Sequence, residues 1–381
     1  MYRPARSVHY WAFRAMRSII EGMALMNLFK GLSSSVLGVD IGTTSIKVVE
    51  VKSGKDRPEI INYGLLESSG YLARANQALQ TSALKIFESD VVELLKTVLR
   101  EMHPRTTQAV ASLPPFSAFT TVFDFPTMDP KQVEQAITYQ AKQYVPLPLS
   151  EVALDWMKVG EYQDEKGFAH EKILLVAVPK EQIQKYQQIF AAAGLALREL
   201  ELESLSIARI WGTDATPSIV LDIGSRSTDI IFLEDGKLTW SAQSDFAGSS
   251  LTQALASSLS INPLRAEELK KERGVIGTGP NYELSTIMLP FLDAILNEVK
   301  KAQFAYKAQF PSAKSAERLI LSGGGANLLG LEQYCTREFG IPVVKANPLS
   351  RFSYASAIDP LVPELNPVMT VALGLGLKGI S

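Results

Sequence analysis

The residues Asp40-Ile41-Gly42-Thr43-Thr44-Ser45 combine one acid, one glycine and three hydroxyls in a short stretch. They lie between two apolar runs, Val36-Leu37-Gly38-Val39 and Ile46-Lys47-Val48-Val49-Glu50-Val51. Short β-branched runs around a glycine-bearing polar turn predict a β-hairpin. The turn gathers backbone N–H groups and hydroxyls at one tip, a geometry that accepts phosphate. Asp40, at the mouth of the tip, could hold Mg2+ directly or through water. Lys47 is the nearest cation, although a strand position can point it elsewhere. Taken singly, such a stretch is more often an ordinary turn than a ligand site.

The pattern occurs again in the second half of the chain. Ser218-Ile219-Val220-Leu221 leads into Asp222-Ile223-Gly224-Ser225-Arg226-Ser227-Thr228-Asp229 and then Ile230-Ile231-Phe232-Leu233. An Asp-Gly turn, Glu234-Asp235-Gly236-Lys237, adds a further hairpin. Two copies imply two similar domains, each presenting a donor-rich tip. A third piece is Leu319-Ile320-Leu321 followed by Ser322-Gly323-Gly324-Gly325-Ala326-Asn327 and an apolar helical stretch. Glycines after a strand and ahead of a helix let the backbone approach a ligand closely.

The two tips and the late glycine run resemble the phosphate-1, phosphate-2 and adenosine motifs of the actin-like ATPase superfamily. Within it, Tyr144-Val145-Pro146-Leu147-Pro148-Leu149-Ser150-Glu151-Val152-Ala153-Leu154-Asp155-Trp156 is similar to a stretch of the PilM family of type IV pilus assembly proteins. The ending, Val371-Ala372-Leu373-Gly374-Leu375-Gly376-Leu377-Lys378-Gly379, and the start, Met26-Asn27-Leu28-Phe29-Lys30, resemble the same family. The resemblance implies an α/β fold of two duplicated, RNase H-like, actin-like domains with a small inserted subdomain. It implies ATP and Mg2+ as cofactors. Asp40, Gly42, Thr43, Thr44, Lys47, Asp222, Gly224, Ser225, Ser227, Thr228 and Gly248 would surround the phosphates, with Asp40 and Asp222 facing the metal. Gly323, Gly324, Gly325 and Asn327 would cover the adenine-ribose side. Glu267 and Lys270 resemble a pair that contacts the nucleoside, and an exposed ion-paired helix face explains them equally well.

The resemblance also implies a place on the cytoplasmic face of the inner membrane, held there through partners. The partner would be the N-terminal peptide of a PilN-like protein, with PilO and PilP reached indirectly and the pilus motor ATPases as further candidates. The peptide groove would lie between the insert and the first domain. Phe123, Phe125, Tyr139, Tyr144 and Val145 are the candidates to line it; the competing reading makes them the core of the insert.

The elements that must carry these residues read as follows. Ser89-Asp90 can cap a helix whose apolar face is Val91, Val92, Leu94, Leu95, Val98 and Leu99. Ala109 to Leu113 is a buried strand. Phe119 to Phe125 is a strand, Pro130 to Tyr144 a helix with Asp129 as N-cap, and Val152 to Val159 a strand. Ile173 to Val178 is expected to return to the main sheet. The stripe Phe291, Leu292, Ile295, Leu296 and Val299 on a long helix from Ser285 to Phe310 reads as core. The expected division is a basic extension over 1–25, a first domain over 26–115 and 169–216, an insert over 116–168, and a second domain over 217–381 with a helical part at about 251–312.

The chain has 381 residues, 46% hydrophobic and 20% charged, with a formal charge of −2. No global field favours nucleic acid. One cysteine, Cys335, excludes an internal disulfide framework and reads as a small core residue. Three scattered histidines make a zinc site unexpected. No run of 18 uninterrupted apolar residues is present, so no transmembrane helix is expected. The first 25 residues, with Arg3, Arg6, Arg14 and Arg17 among aromatics, fit a segment lying on an anionic membrane or an upstream start, with Met23 or Met26 the true one; the second is favoured because the resemblance begins at Met26. No water-positioning residue is identifiable, so slow turnover or none is expected. The alternatives are an actin-like small-molecule kinase, for which no sugar-site motif is found, and an FtsA-like division scaffold, which would be expected to carry a terminal amphipathic helix.

Overall fold

In a computed structural model of the chain, residues 35–68, 88–164, 166–275 and 282–381 are described. The basic extension, Met26 to Lys30 and the polar stretch from Gly70 to Thr81 lie outside them.

The chain opens on the expected hairpin, β1 (Ser35–Ile41) and β2 (Ser45–Lys52), with β3 (Glu59–Glu67) added antiparallel. Helix α1 (Glu88–Met102) already begins at Glu88, so Ser89 and Asp90 fall in its first turn rather than ahead of it. Its Val91, Leu95 and Val98 are buried. β4 (Gln108–Leu113) then pairs parallel with β1. The insert follows: β5 (Phe119–Pro126), α2 (Pro130–Tyr144), β6 (Val152–Gln163) and β7 (Ala169–Pro179).

β7 does not return to the main sheet. It is the middle strand of a separate three-stranded sheet, order β5-β7-β6. The insert therefore runs to Pro179, beyond the expected boundary at 168. Ile173 to Val178 are all buried because both neighbours of a middle strand, and both of its faces, are covered. α3 (Lys180–Ala192) and β8 (Ala196–Leu202) complete the first main sheet, order β3-β2-β1-β4-β8.

After α4 (Glu203–Ile210) comes the second domain: β9 (Ser218–Ile223), β10 (Thr228–Glu234), β11 (Lys237–Ser244), α5 (Gly248–Leu259), α6 (Pro263–Arg273), α7 (Tyr282–Gln309), β12 (Arg318–Ser322), α8 (Leu331–Phe339) and β13 (Val343–Lys345). Its sheet, β11-β10-β9-β12-β13, repeats the first in order and in pairing: two antiparallel neighbours, then two parallel ones. The duplication read from the two tips is thus a duplication of whole domains. Leu292, Ile295, Leu296 and Val299 of α7 are core, as their spacing indicates, and Cys335 is fully buried.

The last two helices are α9 (Val362–Val368) and α10 (Thr370–Ile380). Although it follows the second domain in sequence, α10 leaves it and packs on β1, β2, β4 and α4. The glycines of the closing motif permit this approach. A Cβ on Gly38 would lie 2.2 Å from the carbonyl oxygen of Ala372, and one on Gly374 would lie 2.0 Å from that of Ser206. α10 thus packs on the first domain, and α4 and α10 are among the elements through which the two halves meet. Among the described residues no single helix is long and apolar enough to cross a membrane.

Candidate functional site: two aspartate tips facing one cleft

The two tips are built alike. Gly42 N–H donates to the Ser45 carbonyl at 2.9 Å, and Gly224 N–H donates to the Ser227 carbonyl at 2.9 Å. A Cβ would crowd the same carbonyls, at 3.1 Å from Gly42 and 2.9 Å from Gly224. Glycine is thus required by the tightness of each turn. Thr43, Thr44, Ser225 and Ser227 are part-exposed, where a ligand could reach them. Thr228 is not available: it is fully buried and its Oγ1 donates to the Phe246 carbonyl at 2.8 Å. Its expected role as a phosphate donor gives way to one in fixing the loop before α5.

Each aspartate has a serine beside it on the adjacent parallel strand. Ser112, at the end of β4, donates to Asp40 Oδ1 at 3.1 Å. Ser322, at the end of β12, is in register with Asp222 and opposes the rise of its pKa, while its Oγ donates to the Pro367 carbonyl at 3.4 Å. Neither serine stood out in the sequence. Both aspartates are buried at the carboxyl ends of their strands, the edge at which α/β sheets bind ligands.

The duplication breaks at one position. Across β1 and β2, Asp40 faces Lys47, and the two form an ion pair at 2.8 Å. Across β9 and β10, the equivalent neighbour of Asp222 is another acid, Asp229. Asp229 is buried and its Oδ1 has no hydrogen-bond partner. Glu203, the first residue of α4, adds a fourth carboxylate whose field reaches Asp40, Asp222 and Asp229. Burial opposes the charge on Lys47, but Asp40 first, then Asp222 and Glu203, raise its pKa above the ordinary lysine value. Burial raises Asp222 to about 6, with Asp40 adding to the rise and Ser322 and Lys47 opposing it. Burial and the neighbouring acids push Glu203 and Asp229 well above the usual carboxylate range. The site thus holds four acids against one lysine, a surplus that a cation would relieve.

The glycine run follows β12 and turns against the second tip. Gly323 has φ +79°, and a Cβ there would meet the Ile223 carbonyl at 2.5 Å. A Cβ on Gly325 would meet the Ile223 side chain at 2.4 Å, whereas Gly324 faces open space. Two of the three glycines therefore seat the turn against the second tip, and Gly324 leaves its outer side free for a ligand. Asn327 Nδ2 donates to the Glu364 carbonyl at 2.9 Å, and its Oδ1 accepts from Lys345 at 3.4 Å, so it also ties the turn to α9.

Gly248 and the Glu267–Lys270 pair form one assembly. Gly248 N–H donates to the Gly224 carbonyl at 3.1 Å and Ser249 N–H to the Ser225 carbonyl at 2.7 Å. Lys270 pairs with Glu267 at 2.6 Å and also donates to the Gly248 carbonyl at 3.1 Å and to Thr252 Oγ1 at 2.9 Å. The pair is mostly buried, which removes the exposed-face reading and makes it a brace behind the second tip.

In the insert, Phe123, Phe125 and Val145 are core residues around α2, in line with the competing reading. Tyr139 and Tyr144 are exposed, at 65% and 51%, and Tyr144 stacks edge-on against Phe123 at 5.1 Å.

Two duplicated domains, with one aspartate tip each and a late glycine turn against the second, define an actin-like ATPase fold. A family model described as type IV pilus assembly protein PilM matches residues 38–380, and the chain belongs to that family. It is 22% identical over 349 residues to the cell division protein FtsA of Enterococcus hirae, covering 81% of this chain and 77% of the relative. Among solved structures, it is similar to the PilM-PilN type IV pilus biogenesis complex, with TM-score 0.76 and 24% identity over 91% of this chain and 98% of the other. It is also similar to the ethanolamine utilization protein EutJ from Carboxydothermus hydrogenoformans, with TM-score 0.52 and 18% identity over 91% and 90%.

Proposed function

We propose that the chain is an ATP-binding adaptor of the type IV pilus assembly platform. It would sit at the cytoplasmic face of the inner membrane by holding the N-terminal peptide of a PilN-like protein, and reach PilO, PilP and the motor ATPases through that contact. The observation that carries the nucleotide part is the pairing of two buried aspartates, one from each domain, around one lysine.

Those residues suit Mg2+ with a polyphosphate. Among the described residues no three acids or histidines are arranged to cage a metal. Mg2+ keeps several waters and takes one or two carboxylates, the rest of its shell coming from phosphate oxygens. Asp40 and Asp222 meet that need, and the bound metal would neutralise the acid surplus and the charge of the phosphates. Thr43, Thr44, Ser225 and Ser227 would donate to phosphate oxygens, and Gly324 would lie on the nucleoside side. Glu203, missed in the sequence, would be the candidate to orient a water, since its field reaches both aspartates. Burial and the neighbouring acids raise its pKa well above the usual carboxylate range.

Carboxylates must be ionised to hold the metal. Mg-ATP affinity is therefore expected to be constant above about pH 7 and to fall about tenfold per unit below pH 6, where Asp222 protonates. Fluorescent-nucleotide titration across pH 5 to 8 checks this, and a flat profile would contradict it.

The peptide part rests on the exposed aromatics Tyr139 and Tyr144, with Leu147 nearby on the same connection. Buried Phe123, Phe125 and Val145 would shape the surface from beneath. Tyr144→Glu is expected to weaken binding of the N-terminal cytoplasmic peptide of a PilN-like protein at least tenfold, the effect of losing one aromatic anchor. Thermal stability should change little, since the ring is half exposed. Peptide affinity unchanged in both Tyr139→Glu and Tyr144→Glu would remove this face from the reading.

A further inference from the structure

The insert belongs covalently to the first domain: it leaves that domain after β4 and re-enters it through α3. It also touches the second domain. β6 and β7 contact β11, and Gln309 Nε2, at the end of α7, donates to the Val122 carbonyl of β5 at 3.0 Å. At the centre of this seam is Lys172 of β7, which is only 5% exposed. Its stem lies over Gly160, where a Cβ would meet the Lys172 Cδ at 3.4 Å. Its Nζ lies 4.3 Å from the ring centre of Phe310, 5.6 Å from that of Tyr306 and 5.8 Å from that of Tyr162. Phe310 and Tyr306 belong to the second domain, and Tyr162 to the insert. Among the described residues the Lys172 ammonium has no side-chain hydrogen bond or ion pair. Burial lowers its pKa, and only the more distant Glu234, in the second domain, and Asp124, in the insert, counter this. The aromatic wall is itself held: Tyr306 OH hydrogen-bonds Glu234 and Thr239, each at 2.9 Å.

An ammonium held by aromatic faces is bound more strongly the less water reaches it. A separation of a few ångströms would admit water to Nζ and end the attraction abruptly. Such a contact has two states, made and broken, rather than a graded response. The seam joins the second domain to the insert, which is covalently part of the first, so opening the cleft between the tips would shear it unless the insert moves on its own.

We propose that the Lys172 aromatic seam is a latch that ties the insert to the second domain and so couples the angle of the cleft to the surface of the insert. This rests on the nucleotide reading for its physiological trigger, but the latch itself can be measured without nucleotide. Spin labels at Gln135→Cys on α2 and Lys301→Cys on α7 report the distance between insert and second domain in the full chain; both positions are exposed, and the native Cys335 is buried. The wild-type seam is expected to give one narrow distance distribution. Lys172→Met, which keeps the stem and removes the charge, is expected to add a second, longer distance holding at least a third of the population, and Mg-ATP should return it to the short one. If Lys172→Met does not fold, Phe310→Leu opens the same seam from the other side. A distribution as narrow as wild type in the folded variant overturns the latch, whether or not nucleotide binds. A broadened distribution that ignores Mg-ATP, in a protein shown by titration not to bind it, keeps the latch and refutes the nucleotide reading.

Discussion

Asp222→Asn is expected to make the ligand-free protein more stable while making it a poorer nucleotide binder. Burial is the main reason that its carboxyl is held near pH 6, and Asp40 adds to it. A group whose folded pKa is raised favours the folded state most when protonated. Its contribution is complete below the ordinary carboxylate range and is lost as pH rises through about 6. At pH 7.5 the ionised Asp222 therefore costs the ligand-free fold roughly 3 kcal/mol, from about two pKa units at 1.36 kcal/mol each. An amide of the same shape removes that cost. The thermal midpoint of the metal-free protein should rise by several degrees at pH 7.5 and by little at pH 4.5. Mg-ATP affinity should fall ten- to a hundredfold, the usual loss when a group that fixes a metal is removed. Differential scanning calorimetry at both pH values checks the first half. A variant less stable than wild type at pH 7.5 would show that the carboxylate is satisfied in a way the buried cluster does not provide.

Gly374→Ala is expected to have the largest effect on stability of any change outside the site. Its new Cβ would lie 2.0 Å from the backbone carbonyl of Ser206, and backbone cannot rotate away. Gly38→Ala should behave the same, since its Cβ would meet backbone atoms of Ala372 and Gly376 at 2.2 and 2.7 Å. Either methyl must push α10 off β1 or α4, at a cost of about 3 kcal/mol or more. Gly324→Ala, facing open space, serves as the control and should cost well under 1 kcal/mol. Urea denaturation of the three variants checks the order. Gly374→Ala as stable as Gly324→Ala would mean that α10 does not sit on the first domain.

The parts legible in the sequence were those fixed by local chemistry. Each Asp-Ile-Gly tip is a short turn whose glycine is needed where it stands, and its duplication revealed the duplicated domains. What escaped depended on distant neighbours. Ile173 to Val178 is uniformly apolar, and a uniformly apolar strand fits the middle of any covered sheet, so its assignment to the main sheet was not decidable from periodicity. The destination of α10 was set by Ser206 and Val51, against which Gly374 and Gly376 pack, and the spacing of the two glycines does not identify either. Ser112 and Ser322 end strands far from the tips in sequence, and only the parallel register brings them to the aspartates. Asp229 did leave a signal: a charge entering Ile230-Ile231-Phe232-Leu233, a strand buried along nearly its whole length, is costly without a purpose. Glu203 left less, since an acid in the first turn of a helix is commonplace. Thr228 was misread because the alternation of a strand turns it away from the tip that Ser225 and Ser227 share.

The most direct test of the nucleotide-binding adaptor is calorimetric titration of the full chain with ATP in excess Mg2+ at pH 7.5. The expected result is one saturable site per chain at micromolar affinity, lost when Mg2+ is chelated and weakened at least tenfold in Asp40→Asn. The absence of saturable heat, or binding that ignores both Mg2+ and Asp40→Asn, would contradict it.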